Sequence, residues 1–272
     1  MKIKFSKLTG LGNDYVYLDL TEQNLDIDFS ELSKIVSNRN FGIGSDGLVV
    51  MSKSTCADVK MRIFNTDGSE AEICGNALRC IGKYFFDKKQ KTKLSVETKK
   101  KIVRTEIVEN FGNEAKVKVE MGKVKILSPF KADIFGKSVT LHPVDVGNPH
   151  CIVFVNNFDF DISKYGQEIS SLAYFNKGTN VEFVKIKQQD KLRVRVFERG
   201  SGVTMACGSG ACASVMCYHA NSNPDSQQIS VELDGGVLDI NCEDAQNVIM
   251  TGSATRVFDG TMDIGREKVL SK

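Results

Sequence analysis

The chain has 272 residues, a formal net charge of +2, and is 41% hydrophobic and 26% charged. That length suits two ordinary domains with a substantial core, and the composition is that of a soluble globular protein. Near-neutral charge gives no electrostatic footing for a nucleic-acid or membrane partner, and no apolar run approaches a bilayer span.

The densest basic run, residues 83–101, is interleaved with apolar residues, lacks an aromatic stacking pattern and reads as a solvated face. Met1-Lys2-Ile3-Lys4-Phe5 is followed by Ser6, Lys7 and Thr9 rather than an apolar core, so no signal peptide is expected. The eight cysteines (56, 74, 80, 151, 207, 212, 217, 242) are too sparse for a disulfide framework. They are expected in a reducing cytoplasm, most of them as small buried hydrophobes.

In chain order, residues 3–20 predict a strand, a turn at Gly10-Leu11-Gly12-Asn13-Asp14 and a second strand. Asn13 there either supplies a left-handed turn conformation or has a functional role. Residues 30–38 predict a short helix with Ser30 as its cap. Phe41-Gly42-Ile43-Gly44-Ser45-Asp46-Gly47 contains a literal G-x-G-x-x-G, but the strand at 48–51 stands where a phosphate-binding helix would start, so a nucleotide site is rejected. Arg62-Ile63-Phe64-Asn65 is strand-like and runs into a Gly-containing loop. After Cys74, the spacing of Ala77, Leu78, Ile81, Tyr84 and Phe85 is helical. Strands are expected at 93–98, 101–107 and 115–120, and the pattern resets near Met121-Gly122.

In the second half, strands are expected at 138–141, 144–146 and 151–155 around the turn Gly147-Asn148-Pro149-His150, then a helix at 163–173. Further strands are expected at 181–187, 192–197, 229–233, 236–241 and 248–251. After Cys207, Ala211, Ala213, Val215 and Met216 predict a buried helix. The halves echo one another at a nearly constant offset. Arg195-Val196-Phe197-Glu198 precedes Cys207 as residues 62–65 precede Cys74, Asn148 follows a glycine as Asn13 does, and residues 174–180 fall opposite 41–47. This implies an internal duplication. The fold class is α/β (α+β): two pseudo-symmetric domains, each a curled mixed sheet around a central helix. Residues 1–120 plus about 252–272 are assigned to one domain and 121–251 to the other.

A thiol at a helix start meets the positive end of the dipole and free N–H groups, which lower its pKa. Metal binding is one use of such cysteines, but Cys207, Cys212 and Cys217 drift apart around a helix, so no metal is assigned. Thiol exchange would want C-x-x-C, which is absent. A cysteine hydrolase needs a histidine base, and only His150 sits beside motif residues. Two opposed thiols suit another reaction. One thiolate removes a proton from a tetrahedral carbon while the other thiol protonates the opposite face, with helix-start amides holding a carboxylate. That is racemisation or epimerisation, and it needs no cofactor in principle.

Gly10-Leu11-Gly12-Asn13-Asp14, Phe64-Asn65-Thr66-Asp67-Gly68-Ser69, Cys74-Gly75-Asn76, Gly147-Asn148-Pro149-His150, Glu198-Arg199-Gly200 and residues 206–212 together resemble the diaminopimelate epimerase family, in order, from residue 3 to about 260. The resemblance implies conversion of LL- to meso-diaminopimelate without pyridoxal phosphate or another cofactor, in lysine and peptidoglycan-precursor biosynthesis. It also implies a cytoplasmic homodimer acting on a small diamino diacid, with the last strand or two returning to the first domain. By position, Cys74 and Cys207 resemble the catalytic acid and base. Gly75-Asn76 and Gly208-Ser209 resemble the amides that hold the reacting carboxylate. Asn13, Asn65, Asn148, Asn180, Glu198 and Arg199 match substrate contacts, and His150 and Glu198 match positions that tune the thiols. Three departures stand out: Gly47 where some members carry Gln, Val203 where Glu is usual, and Ala77 for a frequent Gly. A sister racemase acting on proline or hydroxyproline, and a catalytically silent binding protein, are the alternatives.

Overall fold

The computed structural model describes residues 1–222, 224–265 and 269. Its elements in chain order begin with β1 (Lys2–Gly10), β2 (Asn13–Asp19), α1 (Phe29–Ser37), β3 (Gly47–Ser52), β4 (Val59–Asn65), β5 (Glu70–Ala71), α2 (Gly75–Lys89), β6 (Lys93–Glu97), β7 (Ile102–Phe111) and β8 (Glu114–Gly122). They continue with β9 (Lys125–Ile126), β10 (Phe130–Ile134), β11 (Lys137–Asp145), β12 (Pro149–Phe154), α3 (Ile162–Ser170), β13 (Asn180–Gln188), β14 (Lys191–Glu198) and β15 (Gly202–Thr204). The last are α4 (Gly208–Ser222), β16 (Gln228–Leu233), β17 (Gly236–Asn241) and β18 (Val248–Asp263). Two compact units result: residues 1–119 with 253–272, and residues 120–252.

The same two crossovers build each unit. In the first, β2 and β3 pair in parallel across α1, β3 and β4 pair antiparallel, and β4 and β6 pair in parallel across α2. In the second, β12 and β13 pair in parallel across α3, β13 and β14 antiparallel, and β14 and β16 in parallel across α4. Parallel pairing needs a crossover connection, and a helix supplies each one. The amphipathic α1 and α3 bury one stripe each, Leu32 and Val36 in the first case and Ile162 and Ile169 in the second. The longer helices are different. Residues 75–85 of α2 and 208–218 of α4 are buried without interruption. A helix buried on all sides needs apolar or small residues on every face, and each sheet curls around its own.

Several details differ from the sequence reading. The cap of α1 is Asp28, whose carboxylate accepts from the Ser30 and Glu31 amides at 2.8 and 3.3 Å. Ser30 instead donates its hydroxyl to Gly68 O at 2.7 Å. The left-handed positions of the first hairpin are Leu11 (φ 58°) and Gly12 (φ 80°), a two-residue turn, so Asn13 opens β2 and is not the turn residue. The strands expected at 138–141 and 144–146 are one strand, β11. Pro143 falls where β11 exchanges one edge partner, β10, for another, β9, and a strand tolerates a missing donor there. The strand expected at 248–251 continues to Asp263 because its alternation of buried and half-buried residues runs on through Gly252. It pairs first with β17 and then with β1. The short strands β5, β9, β10 and β15 were not anticipated.

If Asp28 caps α1, Asp28→Ala should lower stability in urea denaturation by about 1 kcal/mol while Asp28→Asn retains most of it. An unchanged midpoint for the alanine variant would exclude the capping role.

Candidate active site

Each unit carries one cysteine at the start of its buried helix. In the first, Cys74 is the N-cap of α2, in an extended conformation (φ −139°, ψ 115°), and its carbonyl accepts from the Leu78 amide at 3.1 Å. Its side chain does not cap the helix. The sulfur lies 3.5 Å from Asn13 Oδ1, to which it donates. The same oxygen accepts from Asn76 Nδ2 at 3.1 Å.

Asn13 cannot turn its amide over. Its Nδ2 donates to Asp46 Oδ2 at 2.8 Å, and an ionised carboxylate only accepts. Asp46 in turn receives the Asp14 amide at 3.1 Å and the Arg39 guanidinium at 2.8 Å. Asp14 is bonded by Arg39 at 2.7 Å and paired with Lys7. Burial pushes the Asp14 carboxyl up, but the Arg39 and Lys7 bonds outweigh it and hold the group below its ordinary range. On the other side, the fully buried Arg79 donates to Asn76 Oδ1 at 2.9 Å and to Ser253 O at 3.0 Å. A guanidinium and a carboxylate thus fix the two amides that meet at Cys74. Gly75 and Asn76 are the first two residues of α2. Asn65 ends β4 and gives its Nδ2 to Ser69 Oγ at 2.9 Å, which ties it to the following turn.

In the second unit Cys207 is only 6% exposed. Its carbonyl accepts from the Ala211 amide at 2.9 Å, and its sulfur accepts the Gly210 amide at 3.3 Å and lies 3.4 Å from Ser209 Oγ. This cysteine caps its own helix through sulfur. Burial pushes its thiol well up, the carboxylates of Glu198 and Glu182 push the same way, and the Ser209 and Gly210 bonds oppose them. Gly208 and Ser209 open α4.

Glu198 ends β14 and accepts from Thr204 Oγ1 at 2.5 Å. Arg199 is exposed; its side chain reaches Lys177 O at 3.3 Å and its amide donates to Asn180 Oδ1 at 3.1 Å. Asn180 also donates to Pro149 O at 2.9 Å, bracing the 147–150 turn against the Glu198-Arg199 end of β14. His150 is fully buried, with Nε2 3.2 Å from Asn148 Oδ1 and Nδ1 2.7 Å from Glu182 Oε1. Its ring therefore faces Glu182 and Asn148 rather than the Cys207 sulfur.

None of Asn13, Asn65, Asn148 and Asn180 has a positive φ, so none is present to supply a left-handed turn. Gly47 has a local reason: a Cβ there would stand 2.3 Å from Phe64 O, so a larger residue requires the backbone to shift. Val203 lies in β15 and is 42% exposed. Asp46, Arg79 and Glu182 were missed from the sequence. Among the described residues, no group of three or more His, Cys, Asp or Glu side chains is placed to hold a metal ion.

The fold is that of known two-domain proteins. The chain resembles the crystal structure of a Bacillus anthracis phenazine biosynthesis protein of the PhzF family with a TM-score of 0.75 at 16% identity, covering 97% of this chain and 100% of that one. Sequence narrows the class to isomerases that epimerise. The family model described as diaminopimelate epimerase matches residues 5–127 and 143–257. A diaminopimelate epimerase of Methanococcus maripaludis is 42% identical over 280 residues, spanning 96% of this chain and all of the relative. One of Agathobacter rectalis is 42% identical over 287 residues with the same coverage. The chain belongs to the diaminopimelate epimerase family.

The burial and raised thiol of Cys207 set its reactivity in the free protein. Iodoacetamide at pH 7, read by mass spectrometry, should label the exposed Cys56 well before Cys207. Equal labelling rates would contradict the environment described for Cys207.

Proposed function

We propose that this protein interconverts LL- and meso-2,6-diaminopimelate by a cofactor-independent two-base mechanism, with Cys74 and Cys207 as acid and base. The observation that carries the reading is the pair of cysteines at the starts of two buried helices in a member of this family. The reacting α-carboxylate is held by the first-turn amides of the two helices, at Gly75-Asn76 and Gly208-Ser209, where N–H groups and the positive dipole end favour an anion. The same donors stabilise charge that develops on the carboxylate as the α-proton leaves.

In the chemical step a thiolate takes the α-proton, breaking C–H and forming S–H. The other thiol gives its proton to the opposite face, breaking S–H and forming the inverted C–H. The two sulfurs end with protonation states exchanged, ready for the reverse direction or for reset by solvent. Cys74 donating to Asn13 and Cys207 accepting from Gly210 support a pair held in different hydrogen-bonding environments. At the distal end, Arg199 and the Nδ2 of Asn148 suit the second carboxylate, while Glu198 and the amide oxygens of Asn65 and Asn180 suit the ammonium. His150 and Glu198 act on the thiols electrostatically. The reading extends to a cytoplasmic homodimer serving lysine and peptidoglycan-precursor synthesis.

Chiral separation after incubation with LL-diaminopimelate should show meso product, with none from L-proline. Conversion of proline alone would replace this reading with the sister racemase, and conversion of neither with a binding protein. Cys74→Ala and Cys207→Ala should each lower the inversion rate at least a thousandfold, as loss of an acid or base in the transition state does; full turnover by either variant would refute the mechanism. Sedimentation should give twice the 30.0-kDa chain mass, and a monomer at assay concentration would remove the dimer from the account.

A further inference from the structure

Glu182 is an unusual residue for its place. It sits in β13 between Val181 and Phe183, fully buried, and Oε2 has no hydrogen-bond partner. An isolated buried carboxylate is strongly unfavourable unless it is paired or protonated. Its Oε1 is 2.7 Å from His150 Nδ1, also fully buried. The far ring nitrogen, Nε2, is 3.2 Å from Asn148 Oδ1.

The proton count of the Glu182, His150 and Asn148 series follows from the way the Asn148 amide is turned. An amide oxygen only accepts, so with Oδ1 toward the ring Nε2 carries a hydrogen. One proton lies between Nδ1 and Oε1. Whether that proton rests on nitrogen or on oxygen, the pair holds the same number of protons and has zero net charge. The pair also touches the cysteine helix. A Cβ on Gly210 would stand 2.3 Å from Glu182 Oε1, so the carboxyl packs directly against the residue whose amide donates to Cys207 Sγ.

We propose that Glu182 is a positioning residue of the second half-site. By sharing one proton with His150 Nδ1 it keeps Nε2 protonated. The protonated Nε2 holds the Asn148 amide by its oxygen, and this leaves the Nδ2 hydrogens to donate to an acceptor on the substrate, a carboxylate oxygen. The assignment deepens the proposed function, resting on it only in that Asn148 faces the substrate.

The chain has three histidines, which makes the test accessible by ¹⁵N NMR of the imidazole rings. In the intact protein at pH 7, His150 Nε2 should give the signature of a protonated ring nitrogen. Glu182→Gln, whose amide can donate to Nδ1, should keep Nε2 protonated and leave KM for LL-diaminopimelate near the parent value. Glu182→Ala should release the ring to the other tautomer and raise KM about tenfold with a smaller change in kcat, the size of effect expected for one misdirected hydrogen bond. A bare Nε2 in the parent protein would overturn the proposal. So would an alanine variant that keeps both the tautomer and KM, or a glutamine variant as impaired as alanine. Should the protein not act on diaminopimelate at all, the ring signature still decides the proton assignment. Should Glu182→Ala not fold, the parent spectrum and Glu182→Gln decide it.

Discussion

The structure depends on ending a helix inside a protein. A helix N-terminus carries N–H groups without intrahelical partners, and burying them requires acceptors. Both α2 and α4 begin in the interiors of curled sheets, and in both the residue at the junction is a cysteine whose carbonyl closes the first turn. The crowding this imposes dictates the small residues that follow. Gly210 is the clearest case, since any side chain there would strike Glu182. The dipole and amides that make the helix start hospitable to an anion are thus bound up with the packing that holds it in place.

The duplicated units share their crossovers but diverge in the charge buried behind each cysteine. Behind Cys74 it is a cation, Arg79, acting through Asn76 and Asn13, with Asp46 gripping Asn13 from the other side. Behind Cys207 it is a carboxylate, Glu182, facing His150 and Asn148. The sulfurs are bonded in opposite senses, the first donating to an amide oxygen and the second accepting a backbone N–H. The proposed acid and base thus belong to a duplicated scaffold with asymmetric hydrogen bonding.

Much of this was legible in the sequence. The cysteine-helix junctions follow from small residues leading into an apolar period, and the duplication from motifs repeating at one offset. What was not legible came from the third dimension. Serine caps helices well, so the sequence points to Ser30 as the N-cap of α1, but Asp28 lies nearer the true start and Ser30 is drawn away to Gly68. Asn13 reads as a turn residue because nothing in the sequence shows that Leu11 takes a left-handed position beside Gly12. Arg79 and Glu182 did leave a mark: each is a charged residue inside an otherwise apolar run, Leu78-Arg79-Cys80-Ile81 and Val181-Glu182-Phe183-Val184. Such residues are buried only with partners. Asp46 stands in a glycine-rich loop far in sequence from Asn13, and nothing local in the sequence ties the two together.

The central claim is that two different groups handle the proton on the two faces of one carbon. Its most direct test is the fate of hydrogen when LL-diaminopimelate turns over in deuterium oxide, with product and recovered substrate analysed by mass at the first few per cent of conversion. Two bases predict meso product carrying one deuteron at the inverted carbon while the remaining LL isomer still holds its original protium. Product that retains the substrate's own hydrogen would mean that a single group carries the proton from one face to the other, and would contradict the account.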